Sequence, residues 1–310
     1  MKRVLLTGGT GFVGQNIVER LSGVHEVVSI GSSEWDLREQ SQCEQLLESI
    51  KPDVIVHAAG AVGGIGANKI NPGKFLYENL VMGTNLIHAS MANDISKFIL
   101  LGTVCSYPKF CDVPFKEDDL WKGYPEETNA PYGIAKKTLM KMIETYHKQY
   151  GFNGINLIPA NMYGPYDHFN LTSSHVIPAL IMKVDQAISN KQGTITLWGT
   201  GTPSREFLFA SDCADAIALA IEKEAPPAPI NIGTGQETKI SELASMIGEM
   251  MGFEGEFIYD TSKPDGQPRR SLDVSRSKEV LGFEAQTSLR SGLKVTIDWY
   301  LQNKDGEENE

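Results

Sequence analysis

The chain has 310 residues, which is long enough for an α/β unit of two lobes. Its composition is that of an ordinary globular protein, and its formal net charge is −11. Nucleic acids and anionic membranes need a basic face, so the charge predicts neither as a partner. The four cysteines lack CxxC or metal-ligand spacing. The sequence also shows no signal-peptide pattern and no apolar stretch of membrane length. Together these features predict reduced thiols, no metal site and a cytoplasmic location.

The first predicted strand, residues 3–7, leads directly into a glycine-rich turn with Gly8, Gly11 and Gly14, and a helix is predicted over 15–21. Without Cβ atoms the turn tightens, a pyrophosphate can approach the backbone, and the helix can pack on the strand. A glycine triplet in this context predicts a dinucleotide site.

The second predicted strand, residues 26–30, ends at Gly31-Ser32-Ser33. An acid here would hold the ribose 2′-hydroxyl of NAD, and this strand end shows none. The serines tolerate the 2′-phosphate of NADP, although no arginine stands in the strand end. The pattern favours NADPH and leaves NADH open. Asp36 is predicted either to line the adenine pocket or to cap a helix.

The next two predicted strands, residues 54–57 and 98–101, end in segments suited to a site. Ala58-Ala59-Gly60 follows the first, and small residues let a cofactor lie against the backbone. Thr103 and Cys105 follow the second. A helix over residues 75–93 is predicted between them, covering the sheet or a partner subunit.

A second helix is predicted to begin near Pro131, capped by Thr128 or Asn129, and to end at Gly151. It carries Tyr132 and Lys136, four residues apart and therefore on one face. We expect the ammonium of Lys136 to lower the pKa of the Tyr132 phenol towards the range of a general acid. Without further support, a Tyr–Lys pair on a solvated face is the simpler interpretation.

Thr103, Tyr132 and Lys136 after a glycine-rich first turn resemble the extended short-chain dehydrogenase/reductase superfamily. We therefore expect an α/β fold, a Rossmann-type doubly wound parallel sheet with a smaller C-terminal substrate-binding lobe. The dinucleotide-binding domain is predicted over residues 1–165, with a return segment near 194–215. Residues 166–310 are predicted to form mainly the substrate-binding domain.

Cations stand in loops of the second half beside glycine, proline and aromatic residues, and include Lys183, Arg205, Lys263 and Arg269. Arginine offers the fork geometry that a diphosphate requires. Any one of these cations alone is more often a surface residue than a ligand. Their shared setting predicts a nucleotide-sugar site.

Nearly the whole chain is similar to the GDP-L-fucose synthase family. The similar segments are Val62 to Asn68, Cys105 to Lys109, Glu127 to Tyr132, Ser174 to Leu180 and Trp198 to Phe207. The resemblance implies epimerisation of GDP-4-keto-6-deoxy-D-mannose at C3 and C5, then reduction at C4 with NADPH, giving GDP-L-fucose. It also implies a homodimer through the helices near 75–93 and 131–150.

The resemblance assigns five catalytic roles. Cys105 and His175 map onto the family's epimerisation pair; alone, each would more often be a buried structural residue. The C4 ketone acidifies the protons on C3 and C5, so inversion needs a base and an acid on opposite faces of the ring. Tyr132 would protonate the C4 oxygen, Lys136 would hold the cofactor ribose, and Thr103 would help hold the keto oxygen.

The implied contacts form two sets. Those to the cofactor are Gly8, Thr10, Gly11, Phe12, Val13, Ser32, Asp36, Ala58, Ala59, Gly60, Tyr132, Lys136, Pro159, Asn161 and Met162. Those to the sugar nucleotide are Asn161, His175, Lys183, Trp198, Arg205, Lys263 and Arg269. Family members often have His-Arg-Gly in the glycine loop and an arginine ending the second strand, and this chain has neither.

Other functions remain open. The chief alternative is a C4 reductase, with or without epimerase activity, that acts on another GDP-4-keto sugar such as a 6-deoxy-heptose. A 4,6-dehydratase is less favoured, because such relatives carry an acidic pair where this chain has Val104-Cys105. A 4-epimerase would leave the Cys105 and His175 segments unexplained. A non-catalytic dinucleotide-binding regulator is remote, because regulators of this fold usually lose Tyr132 or Lys136.

Overall fold

The computed structural model describes residues 1–63, 65–171, 174–263 and 265–304. The strands are β1 (Arg3–Thr7), β2 (Glu26–Ile30), β3 (Val54–His57), β4 (Lys97–Leu101), β5 (Gly154–Pro159), β6 (Asn161–Tyr163), β7 (Thr194–Trp198), β8 (Ser204–Phe209), β9 (Ile230–Ile232), β10 (Glu237–Lys239), β11 (Glu256–Asp260) and β12 (Arg269–Arg270). The α-helices are α1 (Phe12–Leu21), α2 (Gln40–Ile50), α3 (Ile65–Ile70), α4 (Pro72–Ala92), α5 (Ala130–Tyr150), α6 (Val176–Ser189), α7 (Ala210–Glu222), α8 (Ile240–Met251) and α9 (Leu289–Asn303). Short helical turns lie at Val104–Ser106, Glu117–Asp119 and Ser277–Leu281.

The main sheet has six parallel strands in the order β2-β1-β3-β4-β5-β9. Helix α1 packs against α7, while α4 packs against α2 and α5. The strand order reverses between β1 and β3, the point at which doubly wound sheets bind their ligands. The predicted Rossmann-type sheet is confirmed. Within the described residues, no helix combines the length and apolar character needed to cross a bilayer.

A second hydrophobic core lies apart from the one around the main sheet. It joins α6, α8 and α9 to residues of β7 and β8, and includes Ile181, Leu197, Ile247 and Ile297. Beside it, β8 pairs with β6, β10 and β12, and β7 pairs with β11. The chain therefore has a smaller second lobe, built mostly from later segments.

The chain returns to the main sheet after forming part of the second lobe. Within the predicted return segment, β7 pairs with β11, whereas α7 lies on α1. Strand β9 then becomes the sixth strand of the main sheet. Residues 272–283 also contribute Leu272, Leu281 and Phe283 to the first core. The exact domain limits stay a prediction.

Candidate active site

The glycine-rich turn after β1 has the shape that a dinucleotide requires. Gly8 has φ +73°, and a Cβ there would lie 2.8 Å from the Ala59 Cα. A Cβ on Gly14 would lie 2.0 Å from the Gly8 carbonyl oxygen. Helix α1 begins at Phe12 without a side-chain cap, so its first N–H groups and the positive end of its dipole are available to a pyrophosphate. These residues fit a dinucleotide.

The end of β2 differs from the expectation that it carries no acid. The chain turns back after the strand, so that the Gly31 N–H donates to Oε2 of Glu34 at 3.1 Å. Thr10 lies against the same point, because a Cβ on Gly31 would be 3.0 Å from its Oγ1. Ser32 is exposed in this turn. Glu34 was missed because it stands four residues beyond the end of the strand.

Asp36 neither caps α2 nor stands free, since α2 begins at Gln40 with Glu39 at its N-cap. Its carboxylate accepts from the Arg38 Nε at 2.8 Å and Nη2 at 2.7 Å. This pairing lowers the pKa of Asp36 to about 2. Asp36 therefore neutralises Arg38, and its predicted contact with the adenine remains a prediction.

Lys136 lies below the segment that follows β3. Its Nζ donates to the Ala59 carbonyl oxygen at 3.2 Å, and the residue is buried. A Cβ on Gly60 would lie 3.7 Å from that Nζ, so the small residues of this segment leave room for the ammonium. Burial lowers the pKa of Lys136 to about 8. The ammonium thus lies at the carboxyl end of β3.

The predicted effect of Lys136 on Tyr132 is not observed. Enclosure by protein raises the pKa of the Tyr132 phenol, and the charge of Cys105 raises it further. A hydrogen-bonding interaction with the Thr103 side chain acts in the opposite direction. Loss of solvation therefore outweighs the expected stabilisation of the phenolate. Tyr132 is accordingly a protonated donor in this structure.

Thr103, Cys105 and Tyr132 are brought together by a close helix–turn contact. Thr103 caps the turn Val104–Ser106, and its Oγ1 accepts from the Cys105 N–H at 3.2 Å. Helix α5 begins against this turn, since a Cβ on Gly133 would lie 2.3 Å from the Cys105 carbonyl oxygen. The glycine beside Tyr132 therefore allows the phenol and the thiol to share one site.

Arginine side chains from two paired strands approach Cys105. The register of β8 and β12 places Arg205 opposite Arg270, on one face. The Arg270 Nη1 lies 3.8 Å from the Cys105 Sγ, and Oε1 of Gln267 accepts from its Nη2 at 3.0 Å. Burial and the charge of Arg270 lower the pKa of Arg205 to about 10. Cys105 therefore faces concentrated positive charge.

Arg269, which was predicted to contact substrate, points away from this cluster. Adjacent residues of a strand face opposite sides of the sheet. Arg269 pairs in register with Ser204, and its Nε donates to Glu237 at 3.1 Å. The structure therefore puts Arg270 beside Cys105, and the pairing with β8, which the sequence alone does not show, distinguishes the two arginines.

A buried carboxylate holds the strands that carry these arginines. Oε1 of Glu206 accepts from the Thr234 and Gly235 N–H groups at 2.6 and 2.9 Å. Its Oε2 accepts from the Ser271 hydroxyl at 2.9 Å and the Leu272 N–H at 2.7 Å. Burial raises the pKa of Glu206, and these four donors oppose that rise. Glu206 thus fixes β12 and the turn at 233–235 relative to β8.

The cofactor contacts predicted after β5 lie where the two lobes meet. Pro159 ends β5 opposite Ile232 of β9, and Asn161 and Met162 belong to β6. The Asn161 amide donates to the Glu206 carbonyl oxygen at 2.8 Å. These residues therefore connect the main sheet to the strand that carries Arg205.

His175 occupies the N-cap position of α6. Its surface remains accessible, yet the surrounding protein lowers its pKa, and the nearby His168 acts in the same direction. A lowered pKa leaves the imidazole neutral near pH 7, able to accept or donate a proton.

The remaining predicted substrate contacts lie on α6, at the end of β7 and in the loop after β11, so that Lys183 stands on a helix and not in the predicted loop. Lys183 donates to the Thr196 carbonyl oxygen at 3.2 Å, and burial lowers its pKa. Trp198 is 70% exposed at the end of β7. The Nζ of Lys263 lies 5.7 Å from the centre of the Trp198 ring. An exposed indole with a cation beside it offers a stacking surface for a planar base.

The comparisons with known proteins agree with this geometry. The sequence profile described as "NAD dependent epimerase/dehydratase family" matches residues 4–233. GDP-L-fucose synthase of Sinorhizobium fredii is 40% identical over 303 residues, covering 97% of this chain and 96% of that protein. A Campylobacter jejuni GDP-6-OMe-4-keto-L-xylo-heptose reductase superposes with a TM-score of 0.90 at 28% identity, covering 97% of this chain and 98% of its own. An NADP-bound GDP-L-fucose synthetase from Naegleria fowleri gives a TM-score of 0.89 at 26% identity, covering 98% and 95%.

The glycine turn, the buried Lys136 beside it and the Tyr132 phenol define an enzyme of the extended short-chain dehydrogenase/reductase type. The chain belongs to the NAD dependent epimerase/dehydratase family. Within that family its similarity to GDP-L-fucose synthases extends over nearly its full length.

Proposed function

We propose that the chain converts GDP-4-keto-6-deoxy-D-mannose to GDP-L-fucose by epimerisation at C3 and C5 followed by reduction at C4. The curated relatives named GDP-L-fucose synthase, about 40% identical across the chain, support this substrate. The observation that carries the proposal is the shared site of Cys105 and Tyr132, which combines an acid–base thiol with a reductase phenol.

Epimerisation requires proton removal on one face of the ring and proton return on the other. We assign these roles to Cys105 and His175. The guanidinium of Arg270, 3.8 Å from the Cys105 Sγ, would stabilise negative charge on the sulfur. His175, with its lowered pKa, would be neutral and available for proton transfer. The sulfur belongs to the turn after β4, and the ring stands at the N-cap of α6 in the second lobe.

Reduction uses the other half of the site. When bound, a reduced nicotinamide dinucleotide supplies the hydride. Tyr132 would donate its proton to the C4 oxygen, and its raised pKa keeps that proton in place until charge develops. Thr103 would hold the same oxygen, and Lys136 would bind the ribose at the end of β3. The solved relative from Naegleria fowleri holds NADP, which supports a nicotinamide dinucleotide as the cofactor of this site.

We assign the diphosphate and base to the second lobe. Arg205 is the candidate for the diphosphate, and Trp198 with Lys263 for the guanine. Lys183 would contact the sugar nucleotide from α6. Together these side chains supply the cations that a GDP-sugar needs in an acidic chain.

The division of roles is tested with Cys105→Ser. We expect this variant to lose proton exchange at C3 and C5 while it still transfers hydride to an already epimerised 4-ketone. Cys111→Ser is the matched control, because burial raises the pKa of that second half-buried thiol to about 11 and leaves it protonated near pH 7. Equal loss of exchange and hydride transfer in Cys105→Ser would contradict the assignment.

A second candidate function is C4 reduction of another GDP-4-keto sugar. This alternative is supported by the structural similarity to the Campylobacter jejuni heptose reductase, which has a TM-score of 0.90. A panel of hexose and 6-deoxy-heptose substrates decides between them through the ratio of kcat/KM values. We expect the hexose to be preferred, and a higher kcat/KM for the heptose would establish the alternative.

We also propose a cytoplasmic homodimer formed through α4 and α5. These helices pack side by side, and they expose Leu76, Tyr77 and Tyr150. Large exposed apolar side chains on neighbouring helices suit a self-complementary contact. Light scattering after size-exclusion chromatography should give twice the chain mass, and a monomer at micromolar concentration would contradict it.

A further inference from the structure

The carboxylate of Glu34 lies at the point where a Rossmann fold distinguishes NAD from NADP. A carboxylate at the end of the second strand hydrogen-bonds the ribose 2′-hydroxyl, whereas an arginine there accommodates a 2′-phosphate. In this chain Oε2 of Glu34 accepts from the N–H of Gly31, the residue that directly follows β2. Gly31 has no side chain of its own, so Glu34 is the acid of this strand end.

The two segments that form this end of the dinucleotide site carry no positive charge for a 2′-phosphate. The sequence from Thr7 to Gly14 and from Val27 to Leu37 contains no lysine or arginine. The next arginine, Arg38, donates to Asp36 and, at 3.0 Å, to Oε1 of Glu78. Its charge is therefore already balanced by two carboxylates. A phosphate at this position would bring close to two negative charges next to Glu34.

We propose that Glu34 determines the cofactor preference, so that this chain binds NADH more tightly than NADPH. The proposal rests on the dinucleotide site of the proposed function. The second carboxylate oxygen of Glu34 would accept a hydrogen bond from the ribose 2′-hydroxyl. Repulsion between like charges would disfavour the phosphorylated ribose.

Direct binding tests this without turnover. ADP-ribose and its 2′-phosphate, titrated calorimetrically into the full chain, report on the ribose end alone, and NADH and NADPH fluorescence reports on the whole cofactor. We expect the unphosphorylated ligand to bind at least tenfold more tightly in each pair. In Glu34→Gln the ratio should fall to about threefold or less, mainly through tighter binding of the phosphorylated ligand. Glu26→Gln, at the opposite end of β2, should leave the ratio unchanged.

Three results would overturn the proposal in distinguishable ways. Tighter binding of the phosphorylated ligands by the unmodified chain, together with normal sugar turnover, would refute only the role of Glu34. A preference for NADH that Glu34→Gln leaves unchanged would refute it too. Failure of all four ligands to bind would refute both this inference and the proposed function.

Discussion

Asp167, in the segment that leads from β6 to α6, gives the sharpest prediction about stability. The residue is buried, and its Oδ1 accepts from the His168 N–H at 2.8 Å. Among the residues that the structure describes, its Oδ2 has no hydrogen-bond partner. Burial raises the pKa of Asp167 from 3.8 to about 7, and the single hydrogen bond from His168 offsets only part of that rise. The folded chain therefore holds a proton that the unfolded chain releases near pH 4.

The sign of the effect follows from this difference in bound protons. Between pH 3.8 and about 7 the folded state binds more protons, so the contribution of Asp167 to stability falls as pH rises. At 1.36 kcal/mol for each pH unit, the loss between pH 5 and pH 8 is about 3 kcal/mol. Asp167→Asn has no charge to bury and escapes that loss.

The assay is urea unfolding of both proteins at pH 5 and at pH 8. The free energy of unfolding of Asp167→Asn, relative to the unmodified chain, should rise by about 3 kcal/mol between the two pH values. Asp298→Asn is the control, because that carboxylate is about half exposed and pairs with Lys294. A relative stability of Asp167→Asn that is the same at both pH values would refute the reasoning.

Three further substitutions, one of them a control, test the arginine cluster and its support. Arg270→Gln should slow proton exchange at C3 and C5 at least tenfold, since a charged hydrogen bond contributes about 1.5–3 kcal/mol. Arg269→Gln, on the other face of β12, is the control and should change that rate less than about twofold. An equal loss of exchange rate in the two variants would contradict the position of Arg270 beside Cys105. Glu206→Gln should lower the free energy of unfolding by about 1–3 kcal/mol. The substitution replaces one carboxylate oxygen by an NH₂ group, which cannot accept from the Leu272 N–H or from the Thr234 and Gly235 N–H groups. An unchanged urea midpoint would contradict this.

The strands and the catalytic helix were predictable because their signals are local. Short apolar runs gave the predicted limits of β1, β2 and β3, and β4 begins one residue before its predicted start. Pro131 lies in the first turn of α5, and Gly151 follows its last residue in the left-handed conformation. Helix α1 starts at Phe12, three residues before the prediction, because its first turn belongs to the glycine loop.

The parts that were missed depend on contacts distant in sequence or on folding back of a loop. Strand β12 has two residues, too few for a sequence pattern to show which side chain faces which side of the sheet. Only its pairing with β8 shows that Arg270, and not Arg269, faces Cys105. Glu34 reaches the strand end through a turn whose path the sequence pattern does not define. The pKa of Tyr132 depends on how completely the folded protein encloses it, and side-chain spacing along α5 carries no such information.

The most direct test of the central claim is the product formed from GDP-4-keto-6-deoxy-D-mannose and a reduced nicotinamide dinucleotide in D₂O. NMR and mass spectrometry would read its configuration and deuterium content. The proposed function predicts GDP-L-fucose with deuterium at both C3 and C5. A reduced D-sugar without deuterium would contradict it and would leave a C4 reductase alone.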